Sequence, residues 1–267
     1  MSLKELLFEI KNIITWRTRN ILIDPFCILR WDLIPRLRRK KNCEIASKTP
    51  PDVKIPVTII TYNRPWYFER TLESFIEMNR SYLDRLLLIV LVQGDMDKAT
   101  DKIINKFKRQ INRVIYPGEN LGCAGGYNLL MTESLKLRQP YIVHLQDDFF
   151  SSEPLSDYIP GLIEIMEKNH KLGYIRLRSI KDKVNDYNVI SRRKIKYASK
   201  IKNTFIGNGH FTFNPTIVRS SVIKEIIPTT SEKDAQKKYQ QLGLKTGQLS
   251  ASCFTHIGDE RVRDWIK

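Results

Sequence analysis

Seven consecutive apolar residues, Leu86-Leu-Leu-Ile-Val-Leu-Val92, constrain the fold of this chain more than any other stretch. A run so short and apolar at every position reads as a strand covered on both faces, the signature of a parallel sheet flanked by helices. It stops at Gln93-Gly-Asp-Met-Asp97. Upstream, Val57-Thr-Ile-Ile-Thr-Tyr62 reads as a strand broken by Asn63-Arg-Pro65, and the helix that follows carries Phe68, Leu72, Phe75 and Ile76 on one face. Downstream, a basic helix from Lys98 to Gln110 leads to a third strand, Arg113-Val-Ile-Tyr116. The glycine-rich stretch Pro117 to Asn128 turns the chain into another helix, and Tyr141-Ile-Val-His-Leu-Gln146 is the fourth strand. Strands alternating with helices, joined by right-handed crossovers, predict an α/β architecture with a doubly wound, mostly parallel sheet.

That fourth strand ends in Asp147-Asp148, followed by Phe149-Phe150. Ligands of open α/β sheets bind at the carboxyl ends of the strands. Adjacent carboxylates repel, so a site that keeps both ionised holds a hard cation, most simply Mg²⁺ or Mn²⁺. The alternative is a helix N-cap beside a solvated turn residue. Glycines 122, 125 and 126 allow a tight turn and close approach of backbone to a ligand. They also allow a helix to pack tightly on the sheet, and both uses remain open.

A chain of 267 residues can bury a large core as one sizeable domain with an appendage. Its formal net charge of +16 favours polyanionic or phosphorylated ligands, or an anionic membrane face. The cysteines at 27, 43, 123 and 253 form no CxxC pair, which indicates neither a zinc site nor a disulfide framework and points to a reducing cytoplasm. No apolar run approaches the roughly 18 residues of a spanning helix, and no signal peptide is evident. Residues 1–50 differ from the rest, with 11 Lys and Arg against 5 Asp and Glu. Leu3, Leu6, Leu7, Ile10, Ile13 and Ile14 recur at helical spacing, and the segment ends in Arg36-Leu-Arg-Arg-Lys-Lys41. This basic amphipathic extension suits the surface of an anionic bilayer, or else packs on the domain at 51–267 with a solvated rim.

Three of these segments together resemble family 2 glycosyltransferases of GT-A fold. Val57 to Pro65 is similar to the family's first strand and turn, Asn120-Leu-Gly-Cys-Ala-Gly-Gly-Tyr-Asn128 to its "NLG, x, AGG, x, N" segment, and Gln146-Asp147-Asp148 stands where it carries a DXD motif. The order and spacing agree across residues 55 to 150. Gln146 departs from the Asp or Glu common there, and Gln93-Gly94-Asp95 departs where an Asp receives the nucleotide base. The resemblance implies the GT-A (nucleotide-diphospho-sugar transferase) fold and an inverting, metal-dependent enzyme. Such an enzyme moves a sugar from a nucleoside-diphosphate sugar to a hydroxyl of a glycan or glycoconjugate. It implies donor contacts from Thr61, Asn63, Arg64, Gln93, Asp95, Asn120, Gly122, Gly126 and Asp147. Asp148 would hold the cation; Asp147 would take the ribose hydroxyl or reach the cation through water.

Beyond Pro154 the sequence yields a helix around Leu162, Ile163, Ile165 and Met166 and a strand at Tyr174-Ile-Arg-Leu177. Arg178 to Lys202 reads as a basic, irregular insertion. Gly207 to Arg219 is similar to the family's acceptor-side strand, with His210 as an acceptor-side candidate. Ser231-Glu-Lys-Asp-Ala-Gln, followed by Gly243, resembles its acidic segment. The resemblance makes Glu232 the catalytic base and Asp234 its substitute, with Lys233 and Lys237 expected to keep Glu232 ionised. An ordinary helix start, with Ser231 as N-cap, explains the same residues. Phe254-Thr-His-Ile-Gly258 matches a terminal His-x-Gly whose histidine, His256, approaches the metal or the diphosphate; His144 reads as a core histidine. A nucleotidyltransferase would place a glycine-rich loop after the first strand, and Tyr62-Asn-Arg-Pro-Trp66 contains no glycine. A basic nucleic-acid binder fits the charge, but no recognisable nucleic-acid motif is present and no specific nucleic acid is expected.

Overall fold

The computed structural model describes residues 54–95, 97–179, 197–201, 204–208, 210–249 and 252–258. The chain divides into two units, Met1–Ala46 and Ser47–Lys267, and every element below belongs to the second. The expected helix at Leu3 to Trp16, the basic run to Lys41 and residues 180–196 of the basic insertion lie outside the described residues.

Four parallel strands form one half of a nine-stranded sheet: β1 (Ile55–Tyr62), β2 (Leu86–Gln93), β3 (Arg113–Ile115) and β4 (Tyr141–Gln146), in the order β3-β2-β1-β4. Leu86, Leu88, Val90 and Val92 enter one apolar layer, and Ile89 and Leu91 enter the other. Burial of each such side chain is worth about 1.5–3 kcal/mol, so both faces of β2 hold it as an interior strand, between β3 and β1. On the first face lie α1 (Pro65–Met78) and α2 (Lys98–Phe107), the latter opened by Asp97, whose carboxylate accepts from the Ala99 and Thr100 N–H groups. On the second face α3 (Gly122–Leu135) buries Tyr127, Leu130 and Met131.

The sheet continues past β4 with mixed direction. A short strand, β5 (Phe149–Ser151), and helix α4 (Ile159–Lys168) lead to β6 (Leu172–Ser179). Then come β7 (Tyr197–Ile201), β8 (Thr204–Asn208), β9 (Thr216–Arg219), α5 (Ser220–Ile226), α6 (Glu232–Gln241) and β10 (Lys245–Leu249). The order from β4 is β9-β6-β10-β8-β7. Strand β9 runs antiparallel to both β4 and β6, so β6 ends at the same edge of the sheet as β4. The last element, β11 (Phe254–His256), pairs antiparallel with β5 as a separate two-stranded ribbon.

Two expectations change. Gly207 to Arg219 is not one strand: β8 ends at Asn208, residues 210–215 are irregular, and β9 begins at Thr216. Asn214-Pro215 interrupts the ladder, because proline offers no N–H. The basic insertion is also shorter than expected. Arg178 and Ser179 complete β6, and Tyr197–Ile201 is strand β7, paired with β8. Pairing with a neighbour supplied what the charged sequence of β7 does not signal.

Candidate active site

The carboxyl ends of β1 and β4 meet because Ile60 pairs with Gln146, which puts Thr61 beside Asp147. The Thr61 hydroxyl donates to Asp147 Oδ2 at 2.8 Å, and Thr71 of α1 donates to the Asp147 carbonyl at 2.6 Å. Arg64 Nη1 reaches Asp147 Oδ1 at 3.3 Å and Asp148 Oδ2 at 3.1 Å. The ribbon of β5 and β11 brings the chain's C-terminal part to the same place. Phe149 pairs with His256, the Ile257 N–H donates to the Asp148 carbonyl at 2.9 Å, and His256 Nε2 stands 3.4 Å from Asp148 Oδ2. Gly258 closes this corner: a Cβ there would lie 2.8 Å from both Asp148 Oδ2 and His256 Nε2.

Both acids are buried, and their neighbours divide them. Desolvation and the neighbouring Asp148 charge push Asp147 up to about 7, against the pull of Arg64, Thr61 and the Tyr62 N–H. Desolvation also raises Asp148, but His256 and Arg64 outweigh it and hold that carboxyl below its ordinary value. Both acids line a cleft of about 280 Å³ at the sheet edge. Asp148 Oδ1 is buried and accepts no hydrogen bond. A buried carboxylate oxygen left bare is costly, and a cation that takes it removes the cost. Carboxylate oxygen with an adjacent imidazole suits Mn²⁺. Among the described residues no cluster of three such ligands is preassembled, so further ligands would come from substrate and water.

The cleft's other wall is the start of α3. Gln93 Oε1 accepts from the Leu121 N–H at 3.0 Å, Asn120 Oδ1 from the Gly122 N–H at 2.9 Å, and the Glu119 carbonyl from the Gly94 N–H at 2.9 Å. These bonds fix the helix N-terminus, with its unpaired N–H groups, against the cleft that Gly122 and Cys123 line. Cys123 feels both Asp148 and Glu232, and desolvation with these two charges pushes its thiol up. Glu232 is not itself among the residues that line the cleft, but its charge reaches Cys123, which lines it. Glu232 is exposed, yet desolvation raises its carboxyl above the usual range, moderated by the Phe213 backbone N–H and then by Arg176. The expected help from Lys233 and Lys237 is not what acts on it: the shift is upward, and Arg176 is the cation that opposes it.

A pair of hydrogen bonds ties α3 to the segment that precedes α6. Asn128 Nδ2 donates to the Thr229 carbonyl at 2.8 Å, and the Thr229 N–H returns to Asn128 Oδ1 at 2.9 Å. Two residues on, Ser231 caps α6 by accepting from the Asp234 N–H, and Glu232 is the first residue of that helix.

The family model for glycosyl transferase family 2 matches residues 57–227. The chain belongs to that family. Solved structures of similar fold include S. aureus TarS 1-349, at 14% identity and TM-score 0.54, covering 79% of this chain and 63% of that one. TarS 1-349 is also known in complex with UDP-GlcNAc, with 76% and 57% covered at the same identity and TM-score. The mannosyltransferase PcManGT from Pyrobaculum calidifontis, in complex with GDP-Man and Mn²⁺, aligns at 13% identity and TM-score 0.52, covering 79% of this chain and 59% of its own. The chain spans less than two thirds of each of these structures. No curated protein matches its sequence significantly.

In this family 2 chain the residues singled out from sequence fall into two groups. Thr61, Arg64, Gln93, Asn120, Gly122, Asp147 and Asp148 line one cleft, and His256 touches Asp148. Asn63 is an exposed residue with a left-handed backbone (φ 49°) at the turn after β1, and Asp95 is exposed beyond β2. Gly126 serves packing: a Cβ there would come within 2.4 Å of Ile60 Cδ1 and 3.0 Å of Gln93. Asp234 is committed to the helix start, accepting from the Thr229 hydroxyl and Thr230 N–H and pairing with Lys238. His144 is buried, bonds the Thr58 hydroxyl at 2.8 Å, and is pushed down to about 3 by desolvation, so it stays neutral in the core. His210 is buried at the start of the irregular 210–215 segment.

Sequence reasoning missed four contributors. Tyr62 is 40% exposed in the cleft wall, and its ring occupies the space a side chain on Gly94 (φ +73°) would need. Cys123 lines the cleft, Asn128 bonds the segment before α6, and Gly258 makes room for His256. The last asparagine of the "AGG, x, N" segment was the available signal for Asn128; the others depend on chain crossings that no local pattern encodes.

Proposed function

We propose that the protein is an inverting, metal-dependent glycosyltransferase that uses a nucleoside-diphosphate sugar and a hydroxyl acceptor on a glycan or glycoconjugate. One observation carries the reading: Asp148, whose buried Oδ1 is bare, lines a cleft with Arg64 and Asp147, and the charge of Glu232 is felt at Cys123 in the same cleft. Neighbours of the same fold that hold nucleotide sugars, and in PcManGT Mn²⁺, support it. Family membership favours glycosyl over nucleotidyl transfer.

Asp148, with His256 beside it, would hold Mn²⁺ or Mg²⁺. Bound there, the cation offsets negative charge developing on the leaving diphosphate. Thr61 and Arg64 orient Asp147 toward the ribose hydroxyl or a water on the cation. Tyr62, over Gly94, offers a flat apolar surface, and the start of α3 offers N–H groups to an anion. Glu232 takes the proton of the acceptor hydroxyl as its oxygen bonds to the anomeric carbon and the bond to the diphosphate breaks. Its raised pKa makes it a stronger base than an ordinary glutamate.

The test is a screen of nucleotide sugars with the purified chain, reading binding and slow hydrolysis with Mn²⁺ and with chelator. Metal-dependent binding of at least one donor is expected; its absence across uridine and guanosine diphosphate sugars would overturn the reading. For the basic residues 1–41 we propose attachment to anionic membrane, tested by salt-sensitive vesicle flotation that is lost on deleting the segment. Among the described residues no helix is long and apolar enough to cross a membrane.

A further inference from the structure

Arg176 lies in the middle of β6, and its residue is only 4% exposed. Its Nε and Nη1 are buried and have no hydrogen-bond partner, and it forms no ion pair among the described residues. A guanidinium is always charged and carries five donors, so leaving it unpaired in the interior costs several kcal/mol. Folds keep such a group where a ligand completes it.

Its position says which ligand. Arg176 pairs in register with Thr216 of β9 and Gln248 of β10, and Tyr174, two residues back, shares its face of the sheet. Tyr174 donates to the Thr212 carbonyl, beneath the 210–215 segment, so Arg176 is the next residue on that face toward the edge where β4 also ends. The charge of Arg176 is felt at Glu232 and at Tyr174. It is not among the influences on Asp147, Asp148 or Cys123, which respond to Arg64 instead. Arg64 lines the cleft and bonds both acids, whereas Arg176 lies on β6 and its charge acts on Glu232. One strand position further, Arg178 is also buried, donates from Nη1 to Asn214 at 3.2 Å, and lies over the Phe149 ring.

We propose that Arg176 is an oxyanion anchor for the acceptor: the acceptor carries a carboxylate or phosphate close to the hydroxyl that receives the sugar, and Arg176 binds it. The planar fork of a guanidinium matches either group, through paired N–H donors. A net charge of +16 draws such acceptors toward the protein, and Arg176 supplies the local contact. The inference rests on Glu232 as the acceptor-side base.

The test uses the full chain with UDP or GDP and Mn²⁺, and titrates matched probes: methyl β-D-glucuronide against methyl β-D-glucoside, and glycerol 3-phosphate against glycerol. An anionic member should bind about 10-fold or more tightly than its neutral partner, and the pair that shows the preference tells carboxylate from phosphate. Arg176→Met, which keeps the buried stem, should abolish the preference without weakening nucleotide binding. Lys237→Met, which removes an exposed charge from the same region, should retain it. Because Nε and Nη1 have no protein partner among the described residues, Arg176→Met should melt no lower than the parent. No preference in the parent, whether both probes bind equally or neither binds, overturns the proposal. A preference that survives Arg176→Met overturns it too, as does a lower melting temperature with unchanged probe affinity, which would make Arg176 a structural cation. If neither nucleotide binds the parent, the glycosyltransferase reading fails, and the charge preference is then read on its own.

Discussion

The two halves of the sheet bury polar groups in different ways. In the parallel half those groups satisfy one another across strands: Thr58 with His144, Thr61 with Asp147, Gln93 with the Leu121 N–H. In the mixed half Arg176, Thr204, Thr216, Thr246 and Gln248 are buried on or beside strands, and Arg176 has no bonded partner at Nε or Nη1. Among the residues that line the cleft, Asp148 is the one with a buried side-chain atom, Oδ1, left without a hydrogen-bond partner; Tyr127 Oη and Gln110 Oε1 are also buried without one, away from the cleft lining. The mixed half is unfinished at a cation. An acid with a bare oxygen at the cleft, and in the mixed half a buried cation whose charge is felt at Glu232, suit a donor and an acceptor of different charge.

The sharpest way to break this division is Asp148→Asn. It removes the charge that the parallel half offers and should lower transfer by more than about 10²-fold, since a catalytic cation contributes several kcal/mol. The fold should persist, checked by an unchanged melting temperature in chelator. Full activity in that variant would show that the acid does not hold a cation.

Next in size is Glu232→Gln, which strikes the mixed half. Transfer should fall by about 10²-fold while nucleotide-sugar affinity stays. A carboxyl raised above its ordinary value, about 4.3, gives up its proton at higher pH. Parent kcat/KM should therefore rise with pH along a limb displaced above that value, and the Gln variant should lack the limb. Asp234→Asn, made in parallel, should leave transfer nearly intact. Its carboxyl is held below the usual range by the Thr230 N–H and the Thr229 hydroxyl, against desolvation, with Lys238 adding to them. If Asp234→Asn alone abolished transfer, the base would sit two residues along.

The same contrast explains what the sequence could disclose. Leu86–Val92 is apolar at every position because helices cover both faces, so its strand, its neighbours and the acids beyond β4 follow from pattern alone. Tyr197–Ile201 carries Lys200 and little apolar periodicity; it is a strand because β8 pairs with it, and pairing is a tertiary fact. The strand at Tyr174-Ile-Arg-Leu177 was legible, but not that its arginine is buried without a partner. His256 was assigned by resemblance; the ribbon that carries it to Asp148 joins residues more than a hundred positions apart. Glu232 read equally well as a helix start, and the structure shows that it is the first residue of a helix capped by Ser231, while its charge is felt at Cys123, which lines the cleft.

Asn128 ties α3 of the parallel half to the segment before α6, so it tests whether the two must be held in register beyond the pairing of β4 with β9. Asn128→Ala removes both bonds to Thr229, three residues before Glu232. Transfer should drop by about 10-fold, because small displacements of a catalytic group are costly. Donor affinity should change far less, and the separation of the two effects is the readout. Equal losses in both would mean that Asn128 supports the start of α3 rather than the position of Glu232.

The smallest effect expected comes from comparing one helix cap in each half. Asp97 opens α2 by accepting from Ala99 and Thr100, and Ser231 opens α6 by accepting from Asp234. Removing either cap, as Asp97→Ala or Ser231→Ala, should cost about 0.5–2 kcal/mol of stability. Desolvation works against ionised Asp97, but its hydrogen bonds to Thr100 and Ala99 prevail and lower its pKa. Its contribution should thus be present at neutral pH and fade as pH falls below about 3.9, whereas that of the Ser231 hydroxyl should not. The functional outcomes should part as well. Asp97 begins a helix that carries no group of the cleft, so Asp97→Ala should transfer sugar at the parental rate. Ser231 sets the first turn from which Glu232 projects, so Ser231→Ala should lose several-fold in rate at the same cost in stability. Two variants of equal melting temperature and unequal kcat would show that the mixed half is tuned for placing the base; equal kcat would show that its first turn holds Glu232 without the cap.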